Sequence, residues 1–438
     1  MHTSSSDPLA NLLPSTNGTA ARTPLIVFSH LRWGFVFQRP QHLLTRLAQR
    51  FDVFFVEEPV LREGGHSLQC VQQAPGVEVL TPFTDIPAGG FHDDQVPALK
   101  SLVADFMAER GFAEPLVWLY TPMALPLVAD LEPRAVVYDC MDDLASFRFA
   151  PPQLLERERA LMELADVVLT GGPSLYEARK QRHPNIHCLP SAVDAAHFAP
   201  CNLDGDDLES TLAAELHRTL PHPRLGFFGV IDERLDLGLV ERLADLRPDW
   251  HVVMAGPVVK IDPAALPRRP NLHWIGMQRY EALPHLMSHW DVCLLPFALN
   301  EHTRFISPTK TLEYLAGGKP AVSTPIHDVV SLYGSVVRIG ATAEEFVAAV
   351  ESTLAESAAE RAAWRAAARA TVDGCTWDGT ADRIAALLQP YVDARPAQAI
   401  VLDAPLRDPA PRIATKETAT PPIARPAIAD LSVQPLSL

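Results

Sequence analysis

The sequence predicts an α/β protein made of two doubly wound parallel sheets that face each other across a cleft. Three observations predict it. Short apolar runs alternate with amphipathic helical patterns through most of the chain, as parallel strands covered on both faces require. The runs fall into two sets of about six, each the size of one doubly wound sheet. A stretch that lacks such runs, Cys201–His222, lies between the sets. At 438 residues the chain is long enough for two substantial cores.

In order, the first set is Leu25–Ser29, Val53–Glu57, Leu116–Tyr120, Ala135–Cys140, Asp166–Thr170 and His187–Pro190. The second is Arg224–Val230, His251–Gly256, Leu272–Gly276, Asp291–Phe297, Ala321–Thr324 and Val336–Ile339. The domain plan is therefore an unstructured start over 1–22, a first half over 23–200, a connector over 201–222 and a second half over 223–375. A long alanine-rich helix is expected around Glu344–Arg369, and a final amphipathic helix over 376–394, starting near Trp377. The remainder, 395–438, is rich in Pro and Ala and reads as disordered or a linker.

Composition narrows the function. A net charge of −16 argues against a general nucleic-acid binder. Apolar runs such as Ala135–Tyr138 fall far short of the roughly 20 residues that span a bilayer. The Ser/Thr/Asn-rich start has no apolar centre, so it is not read as a secretory signal. Six cysteines are scattered without a C-x-x-C pair, which points to reduced thiols in a cytoplasmic setting and away from zinc. No cofactor is expected.

The most informative run is Asn300 to Pro320, a polar loop, a capped helix and a glycine stop between two apolar strands. Ser307 suits an N-cap and Pro308 the first helical position, while Gly317 or Gly318 supplies the left-handed stop. A helix that starts past the carboxyl end of a buried strand aims free N–H groups into the crevice where α/β proteins bind ligands. Lys310 in the first turn opposes the helix dipole, which makes sense beside a bound anion. Glu313, three residues on, lies on the same face, within reach of a hydroxyl-bearing group such as a ribose. Gly229 permits close backbone approach after the first strand of the second half. Arg234, Lys260, Arg304 and Lys310 all follow carboxyl ends of second-half strands, and four cations on one rim suggest a diphosphate site.

In the first half, no G-x-G-x-x-G follows any strand, which removes the main support for a dinucleotide oxidoreductase. The first strand ends instead in His30, Arg32, Trp33, Gln38, Arg39, Gln41 and His42, a set that suits a sugar or amphipathic acceptor. Asp142 and Asp143 end the Ala135–Cys140 strand, where a carboxylate can take a proton from an acceptor hydroxyl. Helix capping and Mg²⁺ binding are the other readings of that pair. Gly171-Gly172-Pro173-Ser174 offers a tight turn at a helix start. A peripheral membrane contact through the basic residues Arg39, Arg46 and Arg50 stays open.

Two motifs, Ser307-Pro308-Thr309-Lys310-Thr311-Leu312-Glu313-Tyr314-Leu315-Ala316-Gly317-Gly318-Lys319-Pro320 and Gly226-Phe227-Phe228-Gly229, resemble those of GT-B glycosyltransferases of the bacterial family 1/4 type. Ser29-His30-Leu31-Arg32-Trp33, Gln38-Arg39-Pro40-Gln41-His42 and Tyr138-Asp139-Cys140-Met141-Asp142-Asp143 are also similar. The resemblance covers roughly residues 24–390. It implies a GT-B fold of two Rossmann-like domains, the second binding a nucleotide-diphosphate sugar and the first a saccharide or lipid-linked acceptor. It implies a metal-independent hexosyltransferase of cell-surface or exopolysaccharide synthesis. Glu313 would hold the ribose. Gly229, Arg234, Lys260, Arg304, Ser307, Thr309 and Lys310 would surround the donor. Asp142 or Asp143 would be the base, and His30, Arg32, Trp33 and Arg39 would contact the acceptor. The final helix would cross back onto the first half. The sequence departs from the family's retaining members at Phe305, where many carry a second glutamate, and at Val230 and Asp236, where they carry Arg and Lys. A nucleotide-sugar 2-epimerase of the same architecture and a non-catalytic polymer-binding partner are the alternatives.

Overall fold

Most of the apolar runs are rich in β-branched and aromatic residues and buried on both faces, so they fold as interior parallel strands, while β9, β12 and β15 are less buried and end their sheets. The computed structural model describes residues 22–147, 150–200 and 208–394. The first half contains β1 (Thr23–Ser29), α1 (Arg39–Leu47), β2 (Phe51–Glu57), β3 (Val60–Leu61), β4 (Ser67–Ala74), β5 (Val77–Thr84) and α2 (Val96–Arg110). It continues through β6 (Leu116–Leu119), β7 (Ala135–Cys140), α3 (Leu154–Leu164), β8 (Val167–Thr170), α4 (Pro173–Arg179), β9 (Ile186–Cys188) and α5 (Ala195–Phe198). After α6 (Leu208–His217) come β10 (Arg224–Phe228), α7 (Leu237–Leu246), β11 (His251–Ala255), β12 (Leu272–Gly276), α8 (Leu283–Ser288), β13 (Val292–Leu295) and α9 (Lys310–Ala316). The described chain closes with β14 (Ala321–Ser323), α10 (His327–Tyr333), β15 (Arg338–Ile339), α11 (Ala343–Leu354), α12 (Ala358–Asp373) and α13 (Trp377–Asp393).

The second sheet runs β12-β11-β10-β13-β14-β15, all parallel. Its order reverses beside β10, where Leu225 pairs with both Val252 and Val292, and the crevice at the carboxyl ends opens there. The first sheet runs β3-β5-β2-β1-β6-β7-β8-β9, with β4 antiparallel on β5. It reverses in the same way beside β1, where Leu25 faces Val53 and Leu116. The side chains of β1 and β2 alternate between two cores, Ile26, Phe28 and Phe54 on one face and Leu25, Val27 and Phe55 on the other.

Both sheets of the expected architecture are present, and the differences have physical causes. The first sheet has nine strands rather than six, because β3, β4 and β5 form a hairpin edge. An antiparallel edge strand does not need a continuous apolar run, and Gln69–Gln73 of β4 are exposed. The expected connector holds α6, whose His217 accepts a hydrogen bond from Trp290 Nε1 at 3.0 Å. The alanine-rich stretch is two helices, because Ser357 and Glu360 form a capping box that starts α12. Residues 1–21, 201–207 and 395–438 lie outside the described residues, and Arg22 pairs with Asp52 at 3.0 Å.

Helix α13 packs on α1, placing Trp377, Ile384 and Leu388 in one core with Leu43, Leu44 and Leu47. Arg46 pairs with Asp378 at 2.9 Å and Arg50 with Asp382 at 2.7 Å. Two of the three cations that suggested a membrane contact are thus engaged by α13, and Arg39 is buried. Arg50, just past α1, stays half exposed in its pair. No described helix is long and apolar enough to cross a membrane.

Candidate active site

The turn after β10 sets the second-half wall of the cleft. Ile231 N–H donates to the Pro257 carbonyl at 2.9 Å, and Val259 N–H to the Ile231 carbonyl at 3.0 Å. Ile231 and Leu235 are buried, so residues 231–235 are pinned at both ends. Gly229 has φ +140°, a conformation that favours glycine. A Cβ there would lie 2.5 Å from Lys310 Cε. The glycine therefore makes room for the lysine. Lys310 lies over Phe227 and Phe297, its Nζ 5.5 and 5.7 Å from their ring centres.

A cavity of about 470 Å³ opens at this wall and is lined from both halves. Trp33, Arg39, Met141 and Asp142 come from the first, and Gly229, Arg234, Ser307, Thr309, Lys310 and Glu313 from the second. Burial pushes the Lys310 ammonium down to about 8, opposed by Glu313. Burial pushes Glu313 up to about 7, opposed by Lys310. Asp142 is pushed up to about 6 by burial, against the pull of Arg234, Arg39 and Lys260. A carboxylate with that poise, opposite two cations, can accept a proton near neutrality.

Helix α9 differs from expectation at its start. Its N-cap is Thr309 rather than Ser307, the cap makes no side-chain hydrogen bond, and the helix has seven residues. Its dipole is correspondingly modest, so Lys310 and Arg234 carry more of any anion's charge. The left-handed stop is Gly318, with φ +66°.

Several sequence candidates are engaged elsewhere. Asp143 bonds Arg179 at 2.7 Å, and Arg179 also bonds Glu158, so Asp143 belongs to a first-half ion network. Only Asp142 of the pair faces the cavity. Arg39 is 3 % exposed. It bonds Asp139 through Nε and Nη2 at 2.9 and 3.0 Å and the Leu189 carbonyl through Nη1 at 2.9 Å. The guanidinium ties α1 to β7, leaving little for an acceptor. Arg32 bonds Glu57 at 2.9 Å, which also receives the Trp33 N–H at 2.8 Å. Trp33 reaches the cavity with its ring edge-on to Phe55. His30 does not line the cavity, and burial followed by the charge of Lys260 pushes it down to about 4. Arg304 is exposed beside Glu301, and Lys260 stands on the rim, 4.8 Å from the Phe147 ring.

Other residues complete the cleft. Phe147 of the first half also covers Arg234, at 5.5 Å. Phe37 stacks on Tyr280 across the cleft, with centroids 4.5 Å apart. Ser174 N–H donates to buried Asp328 at 3.0 Å, and His302 Nδ1 donates to the Ser146 carbonyl. Phe305 packs against the first-half core. Tyr280 could have been found by its place just past β12. Phe147 and Asp328 carry no local signal. Among the described residues no group of three or more His, Cys, Asp or Glu side chains could hold a metal ion.

Comparison with known proteins agrees with this architecture. A family model described as "Glycosyl transferases group 1" matches residues 222–356. A Bacillus subtilis (strain 168) protein, provisionally assigned as the teichuronic acid biosynthesis glycosyltransferase TuaH, is 24% identical over 262 residues, 54% of this chain and 63% of that protein. The match thus spans less than two thirds of that relative's length. Sucrose-phosphate synthase from Thermosynechococcus elongatus superposes over 85% of this chain and 99% of its own, at 15% identity and a TM-score of 0.64. The HepE protein of Anabaena, solved with UDP and glucose, covers 84% of this chain and 100% of its own, at 15% identity and a TM-score of 0.62. Two parallel sheets of this order around one cleft are the GT-B fold, and the second half, over residues 222–356, is similar to the group 1 glycosyl transferases.

Proposed function

We propose that the protein transfers a hexosyl group from a nucleotide-diphosphate sugar to an acceptor hydroxyl in the assembly of a cell-surface or exocellular polysaccharide. The observation that carries this reading is one cavity with Asp142 on its first-half wall and Lys310, Arg234 and Glu313 on the other. Lys310 and Arg234 neutralise the donor diphosphate, and Glu313 accepts hydrogen bonds from the ribose. Asp142 takes the proton as the acceptor oxygen bonds to the anomeric carbon. The carbon–oxygen bond to the diphosphate breaks, and its electron pair leaves with the nucleotide. The two cations stabilise the charge that grows there. Such a single displacement inverts the anomeric centre. The position of the retaining enzymes' second glutamate holds the Phe305 ring, packed into the first-half core, which supports inversion. The UDP bound to HepE supports the donor class, and the polymer named for TuaH supports the acceptor class.

Calorimetry with UDP, GDP and ADP tests the site. The wild type binds one of them, and Lys310→Ala and Glu313→Ala each lose at least about tenfold in affinity, the worth of one charge-assisted bond. Unchanged affinity in both variants would rule the assignment out.

A further inference from the structure

The retaining relatives that the sequence resembles carry a cation just after the glycine corresponding to Gly229 and another six residues further on. Val230 and Asp236 occupy those places here. Asp236 instead caps α7, accepting the Leu239 N–H at 2.8 Å. Neither place supplies a cation beside Lys310.

Asp232 is 3 % exposed, in the pinned turn between Ile231 and Leu235. Its carboxylate receives Arg234 Nε at 3.0 Å and Nη2 at 2.7 Å, as well as the Arg234 backbone N–H at 3.0 Å. The Arg234 carbonyl in turn accepts the Ala298 N–H at 2.9 Å. The side chain is held as a planar fork at two of its three nitrogens, and no described residue bonds Nη1. Arg234 lines the cavity, and the Phe147 ring lies over it from the other half. An arginine already held in place loses less rotamer freedom when it fixes a ligand than a free one does.

We propose that Asp232 is a positioning residue, which holds the Arg234 guanidinium so that Nη1 is presented to the diphosphate of the bound nucleotide. The proposal rests on the glycosyltransferase reading above. Asp232 acts through Arg234 and touches no ligand. Its negative charge also bears on the neighbouring ionisable groups. Burial is the main cause that raises Asp142, Arg234, Arg39 and Lys260 oppose it, and Asp232 adds the smallest upward push.

The test is a double-mutant cycle on the full chain, read by calorimetry with UDP, GDP and ADP and with the matching nucleosides. Asp232→Asn weakens binding of the preferred diphosphate about tenfold and leaves nucleoside affinity unchanged. Arg234→Gln does the same, and the double variant is no weaker than Arg234→Gln alone. Asp232→Glu, which keeps the charge, recovers part of the loss and covers the case in which the asparagine variant folds poorly. Additive losses in the double variant, or equal losses for nucleoside and diphosphate, overturn the proposal alone. A wild type that binds none of the three diphosphates overturns it together with the donor assignment.

Discussion

The two walls of the cleft carry similar charges and use them differently. Behind the first-half wall, Arg32, Arg39 and Asp143 are bonded to Glu57, Asp139 and Arg179. On the second-half wall, Lys310 has no carboxylate within ion-pair distance among the described residues, and Arg234 keeps Nη1 unused. A charged residue at a strand end is therefore not by itself a binding group. What decides is whether its hydrogen-bonding capacity is already spent within the protein.

Asp142 and Asp143 offer the sharpest way to break that contrast. Asp142→Asn is expected to lower turnover by about a hundred- to ten-thousand-fold while donor binding persists. Asp143→Asn should stay within a few-fold, because Arg179 keeps Glu158. A steady-state assay of both variants decides it, and equal losses would erase the distinction. The pH profile sharpens it further. Asp142 and Glu313 must be ionised and Lys310 protonated, so kcat/KM should fall below about pH 7 and above about pH 8. Asp142→Asn should leave only the Glu313 step in the acid limb and should not move the basic limb.

Arg39 comes next. Removing one partner of a buried ion pair typically costs about 3–5 kcal/mol, so Arg39→Met should appear in urea unfolding as lost stability. A fully stable variant with a raised acceptor KM would return Arg39 to the acceptor site. The smallest effect belongs to Arg304→Ala. As an exposed rim residue it should leave both stability and nucleotide affinity within about 0.5 kcal/mol.

Much of this was legible in the sequence. Twelve apolar runs located twelve of the strands, because parallel strands packed under helices declare themselves by composition. The hairpin edge of β4 and β5 did not, since exposed Gln and Cys residues can pair as well as valines. Lys310 and Glu313 could be placed together because they share the first turn of one helix, whereas the approach of Gly229 to Lys310 joins β10 to α9 and is a tertiary contact. The choice between Asp142 and Asp143 was not. It depends on Arg179, which is 36 residues away in sequence. Phe147, Phe305 and Asp328 were illegible for the same reason, since their partners lie in the other half.

The packing of α13 on α1 bears on how the chain is made. The apolar face of α1, with Leu43, Leu44 and Leu47, is covered by residues that include Ile384 and Leu388. During synthesis that face stays bare until the whole second half has left the ribosome. The second half can therefore finish folding first, against the usual N-terminal-first order of multidomain chains. A nascent chain stalled near residue 375 would carry a complete donor wall beside an unfinished acceptor half, and would need protection from aggregation through α1.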